Sequence, residues 1–361
     1  MTIRPALKSG IAIRNRDVSE VRIGSRWRFC TLPPQWHGVE TEALLKLFNG
    51  KSTLTELAAT TGLGVAALES LIHELRVHDF VDLQRTPVAY LRRYNSELGR
   101  IEEVSDLDQV AGDVAVETAL KRIEVECDAV TFTSGDIDGG RTSVLNRREF
   151  HIVIFGHGKI VNALVGVLSA SGFSKLNVIN RVGTRDASLK ILESDIAGGY
   201  VTRSHFGQQR KTIVDEIRSN SLLFVEPKTQ IHNPDLIISI GTPSPDSIQR
   251  WMVENTRHLL VEIPSSSEVR IGPLVIPGKN PCFRCVQLSE KSQSLTSQSS
   301  EPSAALALLV AGAIALDVIS LSDQEKSAYS STSHIHTIRD YTTPRIQHWS
   351  QHHACGCSWE G

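Results

Sequence analysis

Four of the six cysteines in this 361-residue chain fall into two close pairs: Cys282 and Cys285 in NPCFRC, and Cys355 and Cys357 in HHACGCSWEG at the end of the sequence. Thiolates on two short loops suit a tetrahedral metal centre, with zinc–sulfur bonds of about 2.3 Å. Gly356, the single residue between the second pair, permits the tight turn that brings both sulfurs to one ion. Four sulfurs leave no position for a substrate water, so the pattern predicts structural zinc, with a redox CxxC as the alternative. His352 and His353 stand nearby, but the cysteines complete the set without them. The other two, Cys30 and Cys127, have no histidine placed by sequence to activate them and read as partly buried, inert thiols.

A second chemical signal is GHGKIV at 156–161. It follows the apolar run HIVIF and opens a helix, as a nucleotide-binding turn does, with Gly156 and Gly158 as its glycines. Val161 stands where the third glycine of GxGxxG belongs, and the next strand, KLNVIN, ends at Asn180 with no acidic residue for a ribose hydroxyl. The elements that must position both signals alternate between strand and helix. HIVIF, a helix to about residue 170 and KLNVIN form a βαβ unit. DLIISIG, a helix over 247–256, HLLVEIP and VRIGPLVIPG then extend it into a doubly wound α/β domain over 149–361.

Upstream, residues 1–85 carry a different pattern. Val21, Ile23, Trp27 and Phe29 recur mostly at even spacing, as in short half-buried strands, and three helices over 39–48, 54–61 and 65–78 precede a closing strand near Phe80. Thr53 and Glu56 form a capping box at the second helix. The order predicts a winged helix-turn-helix. Its third helix carries Glu69, Glu74 and Asp79 against Arg76, a poor match for phosphates, so nucleic acid is not the expected partner. A peptide adding itself to a sheet edge is the better functional reading, with a groove built from Val21, Ile23, Trp27, Phe29, Leu68, Leu71 and Leu75. Residues 86–148, with ELGRIEEVSDLDQ and TSGDIDGGRTS, read as a connector.

The apolar run SAALALLVAGAIALDVISL at 303–321 contains Asp317 and many small residues, which predicts a buried core helix and no membrane partner. A formal charge of -2 also gives no reason to expect nucleic acid or an anionic membrane. The N-terminal TIRPALKSG lacks the apolar core of a signal peptide. The expected compartment is therefore the reducing cytoplasm, where paired cysteines mean metal.

In combination, the glycine turn, the doubly wound domain, GPLVIPGKNPCFRCVQL and HHACGCS resemble the ThiF/MoeB family of ubiquitin-activating-enzyme-like adenylating proteins. They are most similar to its ThiF-like cyclodehydratase partner proteins of azoline-forming peptide biosynthesis. LLKLFNGKSTLTELAATTGL likewise resembles the peptide-recognition winged helix typified by the chaperone PqqD. The resemblance implies that the winged helix binds the leader of a precursor peptide, that a separate YcaO-type enzyme is a partner, and that the chain forms a homodimer. It also implies Arg185 and Lys190 as the nearest phosphate-gripping residues. Active relatives carry carboxylates after the second strand and after the strand matching DLIISIG, where this chain has Asn180 and Thr242-Pro243, with Asp246 late. A metal-bound triphosphate is then poorly neutralised, and the resemblance implies a scaffold that does not adenylate alone and for which ATP is doubtful. The loop SEKSQSLTSQSSEP has no cysteine for a thioester step. The alternative is an ATP-dependent adenylyltransferase that activates a C-terminal carboxylate.

Overall fold

The computed structural model describes residues 3–8, 11–17, 20–24, 28–83, 93–95, 100–102, 125–130, 140–179, 190–196, 200–219, 233–290 and 301–357. They fall into two compact units, Met1–Leu145 and Asn146–Gly361. Trp27, Asn180 and Arg185 lie outside the described residues.

In the first unit, β1 (Ala6–Leu7) is followed by β2 (Ala12–Asp17), β3 (Glu20–Gly24) and β4 (Phe29–Leu32), with the short pair β5 (Gln35–Trp36) and β6 (Val39–Glu40) after them. Three helices come next, α1 (Thr41–Lys46), α2 (Leu54–Thr61) and α3 (Val65–Val77), then β7 (Val81–Asp82), which pairs antiparallel with β1. A hairpin of β8 (Arg93–Asn95) and β9 (Arg100–Glu102) is also present. The capping box at α2 is formed: Glu56 N–H donates to the Thr53 hydroxyl at 3.2 Å, and Thr53 N–H donates to the Glu56 carboxylate at 2.7 Å. Helical spacing on α3 buries Leu68, Leu71, Ile72 and Leu75 against Val21, Ile23, Leu44 and Leu45.

The second unit is built on one seven-stranded sheet. In chain order its strands are β10 (Ile152–Phe155), β11 (Leu176–Ile179), β12 (Leu236–Ile240), β13 (His258–Ser265), β14 (Glu268–Val275), β15 (Thr332–Thr337) and β16 (Arg345–His348), arranged β11-β10-β12-β13-β14-β15-β16. The first four are parallel and the last three run antiparallel. After α4 (Arg141–Arg147), the helices are α5 (Lys159–Ala170), α6 (Arg210–Ser219), α7 (Pro245–Val253), α8 (Phe283–Glu290) and α9 (Ala304–Gln324). Both α5 and α9 pack on the strands in the main core, with Leu164, Leu168, Val310 and Ile314 buried there. Length and composition would let α9 cross a membrane, yet half of its most apolar window is buried inside the fold. Asp317 is buried too, and it accepts from the Ser327 hydroxyl and the Ala328 N–H.

On the opposite face, α7 sets Trp251 against Val153, Ile237 and Leu260. His258, fully buried on β13, packs against Trp251 with the ring planes tilted by 52° and holds the Thr256 carbonyl 2.9 Å from its Nδ1. Burial pushes its pKa down from 6.5 to about 4. The unfolded chain therefore binds a proton near pH 6.5 that the folded chain refuses. Stability from this site is complete above that pH and is lost as pH falls towards 4, by about 2 kcal/mol between pH 7 and 4.5. Urea unfolding at both pH values should show a pH difference smaller by that amount in His258→Leu than in wild type.

Candidate functional site

Two sites emerge in the second unit. The first is the cysteine cluster. Asn280 shapes the loop ahead of it, accepting from Ile276 N–H at 2.7 Å and donating to the Leu274 carbonyl at 2.6 Å. Cys282 and Cys285 then sit just before and within the first turn of α8. The terminal segment is led there by Trp349, whose indole N–H donates to the Ser333 hydroxyl at 2.8 Å. Arg270 lies over the Trp349 ring and also binds Glu262, Glu290 and Gln347.

The Sγ atoms of Cys282, Cys285, Cys355 and Cys357 all lie within 4.8 Å of one another. The spacings are 3.8 Å between Cys282 and Cys285, 3.4 Å between Cys282 and Cys355, and 3.3 Å between Cys285 and Cys357. A tetrahedron with metal–sulfur bonds of about 2.3 Å has edges of about 3.8 Å, so the donor set fits with little adjustment. His352 donates its backbone N–H to the Cys285 sulfur at 3.3 Å, the kind of contact that supports a metal-binding thiolate. Burial pushes the Cys282, Cys355 and Cys357 thiols up to about 11. At Cys285 burial acts the same way, but hydrogen bonds from His352 N–H and Cys357 outweigh it and lower the pKa.

The second site is the glycine turn at the carboxyl end of β10. Gly156 and Gly158 adopt φ of +130° and +99°. A Cβ on Gly156 would run into the Ile240 backbone, and one on Gly158 would collide with the Glu301 carboxylate. Glycine at 156 therefore follows from close backbone approach as well as from conformation, and at 158 from the positive φ, since the Glu301 carboxylate is the movable end of a side chain. Val161, in place of the third glycine, is buried in the core under α5.

Around this turn four charged side chains converge. Lys159 N–H donates to Glu301 Oε2 at 3.4 Å, and the Lys159 ammonium donates to the Pro302 carbonyl at 3.2 Å. Arg210 donates to Asp195 Oδ2 at 2.7 Å and to the Lys190 carbonyl at 2.9 Å. His157, Asp195 and Glu301 bring one ligand atom each within 4.8 Å of the others. Burial, and after it the Asp195 charge, raises the Glu301 pKa, partly offset by Lys159.

The sequence-predicted residues map unevenly onto these sites. Gly156 and Gly158 form the turn. Lys190 is exposed and joins through its backbone, in a bridge to Gln209 and by its carbonyl to Arg210. Asp246 lies exposed in the first turn of α7, where it complements the helix N-terminus. Lys159, Asp195, Arg210 and Glu301 were missed by sequence reasoning. Lys159 has a signal, being the lysine of the GHGK turn itself, whereas the other three come from separate segments with no motif.

In the first unit the predicted peptide groove needs correcting. Val21, Ile23, Leu68, Leu71 and Leu75 are core residues, each at most 2% exposed. β3 is the central strand of a β2-β3-β4 sheet and not an edge. Among the described residues the edge that faces outward with an aromatic is β4. Its Phe29 is 44% exposed, with the Arg22 guanidinium 3.5 Å from its ring centre. Trp36, just beyond β4, donates to the Ala67 carbonyl of α3 at 2.8 Å.

No protein-family model and no curated protein matches the sequence. Among solved structures, E. coli MccB with AMPCPP and MccA matches with a TM-score of 0.62 at 13% identity, over 98% of this chain and 99% of that one. MccB with ATP matches with a TM-score of 0.59 at 13% identity, over the same shares of the two chains. The chain shares the fold of E. coli MccB. A heterocyclase in complex with substrate and cofactor matches at a TM-score of 0.53 and 12% identity, over 99% of this chain but 40% of that one.

These likenesses correct three expectations. The missing carboxylates after β11 and β12 imply a scaffold that does not adenylate alone and for which ATP is doubtful. MccB, solved with ATP and with AMPCPP and matching almost end to end, overturns both inferences, because its fold accepts nucleotide. A separate YcaO-type partner is likewise not supported, since the MccB structures pair the enzyme with MccA and nothing in them points to a second enzyme.

Proposed function

We propose that the chain is an ATP-dependent adenylyltransferase acting on a peptide carboxylate. The observation that carries this reading is the Gly156–Lys159 turn at the carboxyl end of β10, ringed by Lys159 and Arg210, in a ThiF/MoeB-type fold matched end to end by nucleotide-bound MccB. Backbone N–H groups at the start of α5 would receive phosphate oxygens, and the Lys159 ammonium would add a point charge. The peptide carboxylate attacks the α-phosphorus of ATP. A carboxyl–phosphorus bond forms, the bond to the bridging oxygen breaks, and pyrophosphate leaves. Residues 1–85 are proposed as the winged-helix module that binds the precursor peptide, using the β4 edge beside Phe29 for strand addition. The four cysteines are proposed to hold structural zinc, which fits a reducing cytoplasm and leaves no open position for catalysis.

Peptide-dependent exchange of labelled pyrophosphate into ATP tests the reaction. The expected result is exchange in the wild type and a fall of about 100-fold in Lys159→Ala with zinc content unchanged. Absence of exchange with a panel of candidate precursor peptides would reject it.

A further inference from the structure

The place at the α5 N-terminus that a phosphate takes in a nucleotide-binding turn is filled by a side chain of this chain. The Glu301 carboxylate lies over Gly158, so close that a Cβ there would overlap both of its oxygens. It accepts the Lys159 N–H at 3.4 Å, and its Oε1 is 4.0 Å from His157 Nδ1. The next residue completes the contact: the Pro302 carbonyl takes the Lys159 ammonium at 3.2 Å. Both groups that would meet a phosphate are thus committed to the Glu301–Pro302 segment. That segment is anchored from the other side, since Ser303 caps α9 by accepting from Leu306 N–H at 3.4 Å. A carboxylate and a polyphosphate cannot share one cradle, because like charges a few ångströms apart in a half-buried site repel strongly. The neighbouring Asp195 carboxylate adds to the negative field there, offset in part by its partner Arg210.

We infer that Glu301 is an internal stand-in for phosphate, a latch that closes the anion cradle until its side chain swings out and ATP takes its place. Rotation about the Glu301 side-chain bonds frees the Lys159 N–H and rotation of the Lys159 side chain frees its ammonium from the Pro302 carbonyl, so the cap at Ser303 can stay formed while the cradle opens. The inference rests on the adenylyltransferase reading for the identity of the incoming anion, though not for the contact itself. It also differs from the role a carboxylate usually has beside ATP, as a ligand to the nucleotide's magnesium.

Calorimetric titration of the full chain with magnesium-ATP and, separately, with metal-free tripolyphosphate decides between the two. For a latch, Glu301→Ala tightens both ligands at least about fivefold, the effect of removing one screened like charge, and the isosteric Glu301→Gln tightens them less. Unchanged or weaker binding of both ligands in both variants overturns the latch, and weaker binding of magnesium-ATP alone makes Glu301 a metal ligand and overturns it as well. Glu301→Gln keeps the test open should the alanine variant misfold, with zinc content and melting temperature as controls. Tighter tripolyphosphate binding in a chain that shows no pyrophosphate exchange upholds the latch and rejects the adenylation. Exchange by a chain whose anion affinity ignores Glu301 does the reverse.

Discussion

Replacing Cys357 with serine is expected to empty the cysteine cluster of zinc and to lower the melting temperature of the second unit by about 10 °C or more. The sulfur spacings of 3.3 to 3.8 Å already approximate a tetrahedron, and the ligands come from two segments some seventy residues apart. Zinc bound there would tie the terminal segment to α8, and its binding energy would be folding energy, about 10–16 kcal/mol for complete sites in small peptides. Losing one of four ligands should forfeit at least about 3–5 kcal/mol of that, and each kcal/mol moves a unit of this size by about 2–4 °C. Three of the thiols are held near 11 by burial, so zinc must displace protons that the apo site keeps. Affinity accordingly falls as pH is lowered, and acid should release the metal before it unfolds the sheet. Zinc measured by mass spectrometry alongside calorimetry checks both statements. One zinc per chain in wild type with less than about 0.2 in the variant is the expected pair. Full retention of zinc by the variant would show that Cys357 is not a ligand. The melting of the first unit, whose core contains no member of the cluster, should not move.

Much of the site was legible because its signals are local. The capping box at Thr53 and Glu56, the βαβ pattern around GHGK and the two cysteine pairs each depend on residues a few positions apart, and each appears where spacing placed it. What escaped depends on distance in the sequence. Alternation at Val21 and Ile23 says that one face of a strand is buried, but not whether the strand is central or at an edge, and β3 proved central. β15 and β16 complete the sheet with TSHIHT and RIQH, runs too polar to announce themselves as strands. Asp195, Arg210 and Glu301 meet only because the short 3-10 helix Glu193–Asp195, α6 and the segment ahead of α9 converge on one strand end, and no spacing rule anticipates that. The absent carboxylates after β11 and β12 were visible, but the charges that surround the turn in their place were not.

Asp195→Ala should cost the second unit about 3–5 kcal/mol, a loss disproportionate to one small side chain. Asp195 and Arg210 are a salt bridge with side chains each 2% exposed. The carboxylate also accepts Leu192 N–H at 2.7 Å, and the guanidinium reaches the Lys190 carbonyl, so the pair fixes the segment that flanks the glycine turn. Taking away the carboxylate removes the ion-pair partner 2.7 Å from a buried guanidinium, and that share of its desolvation cost is then no longer offset. The pair as a whole is a different matter, because an apolar replacement of both partners removes the cost together with the attraction. Asp195→Leu combined with Arg210→Met should return to within about 1 kcal/mol of wild type in urea unfolding. Because Asp195 also adds to the field that raises Glu301, the stable double variant separates support from chemistry. If the pair only holds the fold, pyrophosphate exchange recovers with stability. If it sets the charge around the cradle, stability returns and exchange does not, and the second outcome is the one expected from a cluster whose members all face one strand end.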